Sequence, residues 1–73
     1  MYGVVLFAST SHAIKGEKVL QEAGVPVKLI PTPRQLSSDC GLALRFDLGQ
    51  RARVEELMRE RGVVFERVAQ LAF

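Results

Sequence analysis

The order in which short apolar runs alternate with helix-like segments most constrains what this chain can fold into. Tyr2 to Ala8 is apolar, with β-branched or aromatic residues at Val4, Val5 and Phe7. It is too short for a buried helix and reads as a central strand. Ser9-Thr10-Ser11 follows. Such residues favour helix N-caps because a side-chain oxygen accepts an otherwise orphaned backbone N–H. A helix is predicted from there to about Ala23, with Ala13, Gly16, Leu20 and Ala23 on its apolar face, joined by Ile14 and Val19. Gly24 suits the position just past a helix end, and Pro26 blocks continuation.

Val25 to Ile30 reads as a second strand, stopped by Pro31-Thr32-Pro33, since proline cannot donate to a ladder. Thr32-Pro33-Arg34-Gln35 is a capping-box pattern and predicts a single helical turn through about Ser37. Ser38-Asp39-Cys40-Gly41 is then a polar turn. Leu42 to Phe46 alternates as a half-buried strand does. Asp47 and Gln50 make a second cap pair. A helix over about Leu48 to Arg61 presents Val54, Leu57 and Met58, and Gly62 ends it. Val63 to about Leu71 is the last strand, with Glu66 and Arg67 its more polar stretch.

The order β-α-β-β-α-β is the split βαβ pattern of the α+β, ferredoxin-like class. Right-handed crossovers of both halves give a four-stranded antiparallel sheet in the order 4-1-3-2, with both helices on one face. A chain of 73 residues leaves room for one domain, residues 1–73. Both sides of the first strand are apolar, Val4 and Leu6 against Val5 and Phe7. The helix-free sheet face is therefore expected to be uncovered and apolar, which points to a homodimer or a partner.

Composition enters mainly to exclude. The chain is 48% hydrophobic, too apolar for disorder. One cysteine leaves no disulfide framework. One cysteine and one histidine, without clustered carboxylates, cannot fill a structural zinc sphere, so no metal and no cofactor is expected. No phosphate-loop or dinucleotide glycine fingerprint is present. A net charge of +2 is too small to indicate nucleic acid, and no basic aromatic signature marks the third strand. The longest apolar run, Val4 to Ala8, is far short of a membrane span. The first residues carry no basic export signal, and an unpaired cysteine suits a reducing cytoplasm.

The same topology gives the chemistry an address. The first two strands end, and the third begins, at one end of the sheet. Cys40, just before the third strand, is therefore expected close to Ser9, Thr10 and Ser11 at the first helix start. A helix start carries partial positive charge and unpaired N–H groups, which favour a thiolate or another anion. Gly41 leaves the approach to the sulfur unhindered. Arg34 can add a positive charge, and His12 and Lys15 stand in the first turns of the helix. Each residue also has a plainer reading. A lone cysteine can be a small buried hydrophobe. The hydroxyls can be simple caps, and the basic residues can be solvated.

The segments Phe7-Ala8-Ser9-Thr10-Ser11-His12-Ala13, Glu17-Lys18, Ile30 to Ser38 and Cys40-Gly41-Leu42-Ala43-Leu44-Arg45-Phe46 resemble a family of small bacterial proteins described as selenium/sulfur carrier protein-like. The run from Ile30 to Phe46 is its most specific part. The resemblance implies that Cys40 carries a persulfide or perselenide between donor and acceptor proteins, as a thiol carrier rather than a turnover enzyme. It leaves open whether sulfur or selenium is the cargo. Better-known sulfur carriers place a Cys-Pro-x-Pro motif at a helix start, whereas Cys40 is followed by Gly41 and precedes a strand. The residues alone also fit a module that binds a small anion or metabolite at the same place, or one that docks a partner, with Cys40 structural.

Overall fold

The computed structural model describes residues 1–36 and 41–71. The elements run β1 (Tyr2–Leu6), α1 (Thr10–Glu22), β2 (Val27–Pro31), β3 (Leu42–Asp47), a short 3-10 turn (Leu48–Gln50), α2 (Arg51–Glu60) and β4 (Arg67–Leu71). They build an α+β unit on one four-stranded sheet in the order β2-β3-β1-β4. This is the expected order read from the opposite edge. Every neighbouring pair is antiparallel.

The register sorts the side chains into two layers, because successive strand residues point to opposite faces. Val5 and Phe7 turn one way with Leu44 and Phe46. They share a buried cluster with Ala13, Val19 and Leu20 of α1 and with Val54 and Met58 of α2. Both helices therefore cover the same face. Gly16 lets α1 come close to the sheet: a Cβ there would meet the Phe7 ring at 3.0 Å and Leu44 at 3.1 Å.

Both helices end in the same way. Gly24 and Gly62 have φ of 79° and 68°. The Gly24 and Val25 N–H groups donate to the Gln21 and Leu20 carbonyls at 3.0 and 2.9 Å. Those of Gly62 and Val63 donate to Arg59 and Met58 at 3.3 and 2.8 Å. This is the Schellman arrangement, which satisfies orphan carbonyls and needs a left-handed residue. Val25 and Val63 then drop into the core cluster beside Leu20 and Met58.

The second face departs from expectation. Val4, Leu6 and Ala43 are fully buried and Leu71 nearly so, with Ile30 and Leu36 packed against them. Leu36 follows a turn in which its N–H donates to the Pro33 carbonyl at 3.0 Å. The face is thus not an open apolar surface, and the argument from it to a homodimer loses its premise. The reason is local. Two prolines end β2 and turn the chain, so that Leu36 packs against the back of the sheet.

Other boundaries shift for similar reasons. Over Pro33 to Leu36 the chain forms a turn rather than a helix; Ser37 lies outside the described residues. The last strand starts at Arg67 rather than Val63, because Val63 is held by the end of α2 and β1 supplies ladder partners only from Leu6 back to Tyr2. Ile14 stays 53% exposed instead of joining the apolar face of α1.

Candidate functional site

Four chain segments meet at one end of the sheet. There β1 and β2 finish, and β3 and β4 begin. Leu6 pairs with Ala43 on one side and Arg67 on the other. Pro31 pairs with Leu42. The Thr32 N–H donates to the Gly41 carbonyl at 2.9 Å, extending this pairing by one residue beyond the strands. The Glu66 N–H donates to the Leu6 carbonyl at 2.7 Å. Gly41 is thereby held at the same end of the sheet as the Phe7-Ala8-Ser9 exit into α1. It is exposed, and a Cβ built on it meets none of the described residues within 4 Å, its chain neighbours aside.

Ser9 is the N-cap of α1. Its hydroxyl accepts the His12 N–H at 3.4 Å and lies 3.1 Å from the Ser11 hydroxyl. Its carbonyl accepts the Ala13 N–H at 3.2 Å. Thr10 opens the helix. Thr10 and Ser11 are exposed and Ser9 is half-buried. The expected capping role is therefore seen at Ser9, with the hydroxyls of Ser9 and Ser11 close enough to share a proton.

His12 is half-buried, and its Nδ1 is a fully buried atom without a hydrogen-bond partner among the described residues. A buried polar atom left unpaired costs about 1–3 kcal/mol. Its spacing from the cap was readable in the sequence, but its burial was not, since that depends on how α1 sits against the rest of the fold. Lys15 does not turn to this site. Its ammonium donates to the Gly62 carbonyl at 3.4 Å, at the C-terminal end of α2 where a cation is favoured. Arg34 is exposed in the turn after β2. Cys40 lies outside the described residues.

The structure therefore brings together Ser9, Thr10, Ser11, His12 and Gly41 at one sheet end and leaves Arg34 exposed on the loop leading there. Among the described residues, no group of three or more histidine, cysteine or acidic side chains could hold a metal ion. No described helix is long and apolar enough to cross a membrane.

The class these observations define is a small α+β protein in which Gly41 is held at the end of the sheet from which the first helix departs. Its family follows from comparison. A family model described as "Putative Se/S carrier protein-like" matches residues 2–70, nearly the whole chain, and the chain belongs to that family. The match extends past Phe46, where the sequence resemblance was least specific. No curated protein and no solved structure matches the chain.

Proposed function

We propose that this protein is a cytoplasmic chalcogen carrier with Cys40 as the carrying nucleophile, built on a ferredoxin-like fold. Family membership over residues 2–70 is the observation that carries this reading. The seating of Gly41, the neighbour of Cys40 in the chain, at the sheet end beside the start of α1 supports it. The Cys40 thiolate attacks the terminal sulfur of a persulfide on a donor protein. A new S–S bond forms to Cys40 while the donor's S–S bond breaks, and the donor cysteine leaves as its thiolate. The exchange is balanced and needs no external oxidant or reductant. The same exchange carries selenium when the terminal atom is selenium. An acceptor thiolate then repeats the step on Cys40.

The surroundings suit such a group. The N-terminus of α1 favours an anionic terminal atom. The hydroxyls of Ser9 and Ser11 can donate to it, and Arg34 supplies charge from the loop. His12 adds, in the first turn of α1, a ring nitrogen with no hydrogen-bond partner among the described residues. Gly41 itself, exposed and without a side chain, adds no bulk beside the cysteine in the chain.

Mass spectrometry of the intact protein tests the reading. After incubation with a cysteine desulfurase and cysteine, or with a selenium donor, the chain should gain one sulfur or selenium atom. The adduct should be lost in Cys40→Ser and on treatment with a reductant. A full set of donors that leaves no adduct on the natural sequence would sink the carrier role.

A further inference from the structure

A second polar cluster lies at the opposite end of the sheet. An open cavity of about 320 Å³ is lined by Tyr2, Pro26, Val27, Lys28, Arg45, Phe46 and Asp47. Val27 and Pro31 bound β2. The strand rise of about 3.3 Å per residue sets the cavity about 13 Å from the Thr32–Gly41 end. It is thus separate from the proposed carrier site.

The register places Lys28 directly opposite Arg45, and Tyr2 directly opposite Asp47, with all four on the face away from the helices. Like charges directly opposite on neighbouring strands are destabilising. Among the described residues, neither cation has a carboxylate within ion-pair distance. The Arg45 guanidinium is steadied instead by the Tyr2 ring, whose centroid it overlies at 4.5 Å. The Asp47 carboxylate is held at the rim, where its Oδ1 accepts the Gly49 N–H at 2.8 Å. Two cations and one carboxylate leave a single net positive charge. The remaining lining residues, Pro26, Val27 and Phe46, are apolar.

We propose that this cavity binds a small organic monoanion, a carboxylate on an apolar or aromatic body. The carboxylate sits between Lys28 and Arg45, which otherwise repel each other across the ladder. The body lies toward Pro26 and Val27. The negative charge of Asp47 selects against dianions. A charge-assisted hydrogen bond to each cation gives the anion its orientation.

The test is a titration of the full chain, followed by amide resonances. The probes are benzoate, the neutral benzamide and the dianion phenyl phosphate. Benzoate should shift Val27, Lys28, Arg45 and Phe46 saturably, in the millimolar range. Benzamide should leave them in place, and phenyl phosphate should bind more weakly. Lys28→Gln and Arg45→Gln should each weaken benzoate by about tenfold, the effect of losing one hydrogen bond to a charged group. Asp47→Asn, which keeps a cap oxygen, should raise the affinity for phenyl phosphate. The same spectra report whether each variant is folded, and Lys28 is exposed enough that its loss leaves the core intact. Absence of saturation by about 50 mM, beyond any affinity a working site would show, overturns the proposal. So do equal shifts with benzamide, tighter phenyl phosphate than benzoate on the natural sequence, or benzoate affinity unchanged in both cation variants.

Discussion

Gly3 shows how much one missing side chain decides. It faces Phe46 across the β1–β3 ladder, and a Cβ built on it would clash with the Phe46 ring. Phe46 is 2% exposed and packed in the core cluster, so the ring can yield only by disturbing its neighbours. Gly3→Ala should cost about 1–3 kcal/mol, the usual penalty for overpacking, read as a lower denaturant midpoint with an unchanged slope. Arg45 belongs to the same scale. It falls within the alternating strand Leu42 to Phe46, but its seat over Tyr2 depends on a register that no single segment reveals. His12 was likewise visible as a first-turn residue, while the orphaned Nδ1 that makes it chemically interesting comes only from tertiary burial.

The elements were the most legible level, and the two helix ends explain why. A glycine followed by valine after a helical pattern carries its own instructions. The glycine supplies the left-handed residue and the valine supplies the apolar contact that locks the turn. Gly62→Ala forces a left-handed conformation on a residue with a Cβ and should destabilise by about 1–2 kcal/mol, measured by chemical denaturation. Cap signals were similarly local at Ser9 and at Asp47. The Asp47 signal marked a 3-10 turn rather than the first turn of the long helix. What local pattern could not supply was the length of β4. Val63 to Glu66 has strand composition, but pairing requires a partner strand, and β1 ends at Leu6. The mixed charges on α2 form surface pairs, with Glu55 between Arg51 at 3.4 Å and Arg59 at 3.8 Å. Pairs of this kind contribute only about 0.3–0.5 kcal/mol each.

For the whole molecule, alternating apolar residues correctly implied two sheet faces to cover but could not say what covers the second. The chain supplies much of the cover itself through Ile30 and Leu36. With that face closed, the large apolar side chains left exposed among the described residues are Met1, Ile14 and Val64. Light scattering at high concentration should accordingly give the monomer mass of 8.1 kDa. A dimer mass would mean that some other surface associates. The sheet order has a further consequence, one of timing. β1 is made before the other strands of this sheet and β4 after them, yet they are neighbours, with Tyr2 opposite Leu71. Until β4 has been made, β1 lacks one of its two ladder partners. The most buried strand of the sheet therefore waits longest for its pairing to be complete. No segment that stops short of β4 can complete this sheet.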